Sequence, residues 1–195
     1  MTTDDLGLRS TILDKAKSLF IQHGYHGLSM REIAEEVGVS KAALYYHFKD
    51  KEELFIAVLN QNLENTGSEI DKIQSSSRNC NEMVVKFIEY VLTQPAEQRA
   101  VIRLGTQEMS QLSVNSRKLF NETYHFKFTG KVQDIFKAGM KAGEFKTMDP
   151  DIAAWALLGL LYPYLYPNHF GSSPLSREKI DLIIGLFMDG IKQPK

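Results

Sequence analysis

The sequence predicts an all-α protein, on three observations. Apolar residues recur at three- and four-residue spacing along the chain, helix-start and helix-stop residues punctuate that pattern, and no alternating strand pattern of useful length occurs in the 195 residues. The composition, 43% hydrophobic and 24% charged, is that of an ordinary globular chain and excludes wholesale disorder. The prediction is about nine helices.

The first helix runs from Leu8 to His23, with apolar residues at 12, 13, 16, 19 and 20, and stops at Gly24, which suits a left-handed cap. Ser29 and Glu32 have capping-box spacing. Met30, Ile33, Ala34 and Val37 then line one face of a second helix ending at Gly38. Ser40 caps a third, Lys41 to about Phe48, and Asp50 with Glu53 caps a fourth, which either frays near Asn65-Thr66-Gly67 or continues to Gln74. A fifth covers Asn81 to Gln94. Pro95 opens a sixth that reaches about Leu112, and a long seventh spans Asn115 to Ala142. Asp149-Pro150 starts the eighth, and Ser173-Pro174 the ninth.

The single Cys80 excludes a disulfide framework and a Cys-rich zinc site, and suits a reducing compartment. The N-terminus MTTDDLGLRS carries neither a signal-peptide nor a transit-peptide pattern, so the protein is expected to be cytoplasmic. The most apolar run, Ile152 to Leu161, falls short of the ~20 residues that span a bilayer and reads as a buried helix; no membrane partner is expected.

Charge balance, 23 Lys and Arg against 24 Asp and Glu, does not by itself point to a polyanion. Its distribution matters more than the sum. Val39 to Lys51 holds Lys41, Lys49 and Lys51 against Asp50, and Met30 to Phe48 has the shape of helix, glycine-containing turn and second helix, the form that enters the DNA major groove. On the second of these helices Lys41, Tyr45 and His47 put polar tips among the small or apolar Ala42, Ala43 and Leu44. Leu44 and Phe48 read as core. Tyr45 and Tyr46 point about 100° apart, so at most one fits a core comfortably. Lys49 and Lys51 suit phosphate oxygens, and the amides opening the fourth helix offer a second anion site.

The run from Leu28 to Leu54, with its Gly38-Val39-Ser40, Leu44-Tyr45-Tyr46-His47-Phe48 and Lys51-Glu52-Glu53-Leu54 core, resembles the DNA-binding region of tetracycline-repressor-like (TetR) transcriptional regulators. The likeness covers roughly the first third of the chain. Ala42 departs from a glycine frequent there, which bears on how closely the helix start approaches DNA. The resemblance implies a homodimer whose subunits carry a three-helix DNA-binding domain, residues 1–53, and a larger helical domain, 54–195, for effector sensing and dimerisation. It makes Arg31 and Lys41 base readers and Tyr45, His47 and Lys51 phosphate contacts. Ala42, Ala43 and Tyr46 line the DNA-facing side, and Ser29 and Ser40 complete the set.

Enzyme signals are missing: there is no Gly-x-Gly-x-x-Gly, Walker loop or Gly-x-Ser-x-Gly. No cofactor is expected. Glu122-x-x-His125 lacks the second copy a di-iron bundle needs, and His23 with His26 lacks a third ligand nearby, so no metal is expected. In the larger part, Phe120, Tyr124 and Phe128 recur every four residues, as do Arg103 and Gln107, the mix expected of an apolar pocket with a few polar groups. The competing reading is a dry core with Arg103 at its rim.

The last two predicted helices carry more apolar surface than one subunit needs to cover. Leu157, Leu161, Ile180, Ile183, Ile184, Phe187 and Ile191 are therefore expected at the dimer seam, with Gly159 and Gly185 allowing close approach. The functional expectation is a repressor released from palindromic double-stranded DNA by a small, apolar or aromatic effector. The alternative is a helical enzyme or metal carrier with an incidental helix-turn-helix.

Overall fold

The computed structural model describes residues 3–166 and 175–192. Its helices are α1 (Thr3–His23), α2 (Met30–Val37), α3 (Lys41–His47), α4 (Lys51–Ser76), α5 (Cys80–Thr93), α6 (Ala96–Glu108), α7 (Val114–Tyr124), α8 (Gly130–Lys141), α9 (Pro150–Leu161) and α10 (Arg177–Ile191). A π-turn, His125–Thr129, joins α7 to α8 without a break. With 114–141 counted as one stretch, nine helices are described, and the all-α prediction holds. Short 3₁₀ turns follow α6 at Met109–Gln111 and α9 at Tyr162–Leu165.

The helix ends follow local chemistry. Ser29 and Glu32 form the reciprocal capping box, Gly38 takes φ +82° beyond α2, and Asp149 accepts from the Asp151 and Ile152 amides ahead of Pro150. α1 starts earlier than Leu8, and α4 runs on through Gly67 to Ser76. The predicted start at Ser173-Pro174 lies outside the described residues; α10 is described from Arg177, with Ser176 at its cap position. No helix among the described residues is long and apolar enough to cross a membrane.

The chain divides into two compact units, Met1–Asn62 with Ala100–Glu122, and Leu63–Arg99 with Thr123–Lys195. In the first, Ile12, Ala16 and Phe20 of α1, Ile33 and Ala34 of α2, Leu44 of α3 and Phe55 of α4 are buried. Phe20 and Phe55 meet edge to face at 5.0 Å, and Tyr25 closes the group at 5.1 Å from Phe55. A methyl at Gly105 would stand 3.4 Å from Leu59, so α6 lies close on α4.

In the second unit α5 packs on α8, α9 and α10. Phe136 is the centre, 5.9 Å from Phe145 and 6.0 Å from Phe187. Gly139 makes room: a Cβ there would fall 2.2 Å from the Phe145 ring. Glu144 reaches back to the start of α5 and accepts from the Asn81 amide at 2.9 Å and its side chain at 2.6 Å, with the Cys80 amide at 3.2 Å. Burial alone would raise that carboxyl, but these hydrogen bonds hold it below its ordinary value.

The π-turn has a sequence-level cause. α7 buries Phe120, with Tyr124 half-buried one turn on, whereas α8 buries Val132, Ile135, Phe136 and Gly139. In an unbroken α-helix the second stripe would lie about 110° round from the first. The π-turn, closed by the Gly130 amide on the His125 carbonyl, takes in one extra residue. Phe126, the residue thereby left over, is 77% exposed.

Candidate nucleic-acid interface

α3 is short, and its burial is one-sided. Leu44 is fully buried, Phe48 just beyond it is almost so, and the Arg9 guanidinium stands 4.8 Å over the Phe48 ring. Those anchors hold the rest of the helix outward. Tyr45 is 43% and Tyr46 75% exposed, so both tyrosines stay out of the core that was expected to take at most one. Lys41 and Ala42 are exposed one turn earlier, Ala43 is half-buried, and the Lys41 ammonium lies 5.7 Å from the centre of the Tyr45 ring. Helical spacing places 41 beside 45 and 42 beside 46.

α2 holds this face in place. Its C-terminus, where the helix dipole favours a cation, receives Lys15 on the Val37 carbonyl at 3.1 Å. Ser29 and Ser40 are exposed at the starts of α2 and α3, but each hydroxyl accepts from its own helix, Ser29 from Glu32 at 3.2 Å and Ser40 from Ala43 at 3.0 Å. Arg31 is exposed and pairs through Nε with Glu35 at 2.8 Å.

Three expectations are corrected. The His47 side chain is 2% exposed, its Nε2 3.4 Å from Asp5 Oδ1 and its Nδ1 buried without a partner, because the early start of α1 covers the end of α3. It presents nothing to a phosphate. Lys51 turns inward and donates to the Tyr25 and Leu28 carbonyls. At the start of α4, Asp50 accepts from the Glu53 amide at 2.7 Å while Glu53 accepts from the Lys49 amide at 2.9 Å, so carboxylates already occupy that end. Lys49 itself is exposed.

The residues expected to line a pocket are divided. Arg103, half-buried, Gln107, exposed, and Phe120, buried, belong to the first unit; Tyr124 and Phe128 belong to the second. There the π-turn sets Tyr124 and Phe128 at 5.2 Å, with Phe87 6.1 Å from Phe128. Burial pushes the Tyr124 phenol up to about 12. Burial also raises Tyr90 on α5, against a hydrogen bond with Thr66, a buried polar residue of α4. Thr66 was not singled out by sequence, because a lone threonine in a helical stripe carries no distinguishing pattern.

Six of the seven expected seam residues are corrected too. Leu157, Leu161, Ile180, Ile183, Phe187 and Ile191 are buried within the single chain, and Ile184 is half-buried. α9 packs on α8 and α5, and α10 on α5, so the chain covers this apolar surface with its own residues first. Exposed on α9 and α10 are instead Ile152, Trp155, Leu182 and Leu186.

Residues 12–58 match the family model described as bacterial regulatory proteins, tetR family, and residues 77–163 that of the tetracyclin repressor-like C-terminal domain. The HTH-type transcriptional regulator QacR of Staphylococcus aureus is 33% identical over 165 residues, 80% of this chain and 85% of QacR. The chain belongs to the tetR family. Crystal structures share the fold of this tetR-family regulator: a tetR-family regulatory protein from Rhodococcus RHA1 has a TM-score of 0.80 at 24% identity, covering 96% of this chain and 98% of its own. AibR, in complex with isovaleryl coenzyme A and operator DNA, has a TM-score of 0.74 at 24% identity, covering 92% and 97%.

Proposed function

We propose that this transcriptional regulator is a cytoplasmic homodimeric repressor without catalytic activity, which holds a palindromic operator and releases it when a small, largely apolar effector binds. Residues 1–53 read DNA and residues 54–195 sense and dimerise. The observation that carries the reading is the outward face of α3, where Lys41, Ala42, Tyr45 and Tyr46 stand clear of a core closed by Leu44 and Phe48. Small residues beside a cation and two phenols suit a helix laid in the major groove, with Lys41 and Arg31 on base edges and the tyrosines on phosphates.

The aromatic group of Phe87, Tyr124 and Phe128 supports an apolar or aromatic effector. That a relative of the same fold is known with both an acyl-coenzyme A and operator DNA agrees with a regulator of two ligands. Release then follows from linkage: an effector that prefers a conformer unable to hold the operator lowers DNA affinity by the ratio of its affinities for the two conformers. The dimer is built through the exposed apolar residues of α9 and α10, and sets two α3 helices about one DNA turn, ~34–36 Å, or a multiple of it, apart.

The test is selection from random duplex DNA. An enriched inverted repeat is expected, with Lys41→Ala costing ~1–3 kcal/mol and relaxing base preference. Absence of any enriched palindrome would overturn the reading.

A further inference from the structure

We infer that Lys51 is a positioning residue of the reading head, and that it acts through the α1–α2 loop and not through the DNA backbone. An ammonium has three N–H groups. Here Nζ gives one to the Tyr25 carbonyl at 2.8 Å and one to the Leu28 carbonyl at 2.7 Å, and it stands 4.4 Å from the centre of the Tyr25 ring, whose face favours a cation. The charge is met by two carbonyl dipoles and a π face belonging to one loop. Burial lowers the ammonium's pKa from its ordinary value, against the opposing pull of Glu32.

The loop so held is tightly constrained. Gly24 sits at φ +71°, and a Cβ on Gly27 would collide with the His23 carbonyl at 2.2 Å. Leu28 directly precedes Ser29, whose amide donates to Glu32 Oε2 at 2.7 Å and whose hydroxyl accepts from the Glu32 amide. Turning the Leu28 carbonyl therefore turns the cap on which α2 and Arg31 depend. From its other side the loop is held by His26 Nε2 against Gln111 Oε1 at 2.6 Å. Lys51 thus closes a ring from the first turn of α4, through Leu28 and Ser29, to α2 and then α3, and it orders the head before DNA arrives.

The affinity arm of the test rests on the operator-binding reading, whereas the exchange arm needs no DNA, so the two can fail separately. Full-length Lys51→Met and Lys51→Arg are compared with wild type by hydrogen exchange over 24–29, and by binding to the palindromic duplex enriched from random DNA across a salt series. For Lys51→Met the loop should exchange at least tenfold faster and affinity should fall at least fivefold, with the slope of log K against log salt unchanged. A phosphate contact would instead make that slope shallower by about one; such a slope, or wild-type exchange, overturns the inference. Lys51→Arg keeps the charge but brings a longer planar fork, so loop and affinity should both suffer. Wild-type exchange and affinity in that variant would equally overturn it, and it decides alone if Lys51→Met does not fold.

Discussion

Glu52, on the first turn of α4, accepts the Ser113 hydroxyl at 2.6 Å and the Ser113 amide at 3.2 Å. The same Ser113 oxygen accepts from the Ser116 amide at 3.2 Å, so one serine caps α7 and ties it to the helix that follows α3. Hydrogen bonds from Ser113 and Ser116 hold the Glu52 carboxyl below its ordinary value. Glu52→Gln, Ser113→Ala and the double variant should form a non-additive cycle in both unfolding free energy and operator affinity, with a coupling of ~0.5–1.5 kcal/mol. Additive effects in both measurements would mean that the contact transmits nothing.

The π-turn takes in one residue more than an α-helix would over the same stretch. Deleting Phe126, 77% exposed, removes the extra residue and should leave an unbroken α-helix over 114–141. The variant is expected to fold, to melt no lower than wild type, and to exchange the 125–130 amides more slowly as ordinary i to i−4 bonds form. A large loss of stability would show that the widened turn is needed for its own sake, with Thr129→Val, which removes the 3.1 Å His125–Thr129 hydrogen bond, as the milder probe.

Neighbouring positions on α10 should behave in opposite ways. Leu182 and Leu186, 64% and 65% exposed, lie on the surface assigned to the second subunit, whereas Ile183 is buried in its own core. Leu182→Glu or Leu186→Glu should give folded monomers with weak operator binding. Ile183→Glu should instead lower stability by several kcal/mol, since a carboxylate would be taken out of water unpaired. Sedimentation velocity at micromolar concentration together with thermal melts separates the two; persistent dimers of the Leu182 and Leu186 variants would move the interface elsewhere.

Acid should weaken the start of α5. Glu82 accepts from the Arg78 amide at 2.9 Å and Nε at 3.1 Å and pairs with Lys86 at 3.1 Å, contacts that lower its carboxyl pKa to about 2. In the unfolded chain it titrates near ~4.3. Because the folded value is the lower one, its stabilisation is complete above the unfolded value and is lost as pH falls toward the folded one. The difference in melting temperature between wild type and Glu82→Gln should hold steady from pH 7 to 5 and shrink from pH 5 to 3. A gap that does not change over that interval would assign the stabilisation to something other than the charge.

Much of this architecture is legible in the sequence because helix ends are written within four residues. Ser29 with Glu32, Gly38, Ser40 and Asp149-Pro150 announce hydrogen bonds that the chain makes with itself locally, and the structure has each where the pattern places it. Which side of α3 is buried is not local, because 41, 44, 45 and 48 have the spacing of a single helix face, yet Leu44 and Phe48 are buried while Lys41 and Tyr45 are exposed. Tertiary structure alone decides the rest. Lys51 finds its carbonyls 26 and 23 residues away, and His47 is covered by Asp5, so two residues that looked like phosphate contacts became internal braces. On α9 and α10 apolar residues cover more than one face, and periodicity cannot say which face the chain buries against its own α5 and α8. Local hydrogen bonds determine where a helix begins and ends; the direction of a long cation or an apolar stripe is set by whichever distant neighbour removes it from water.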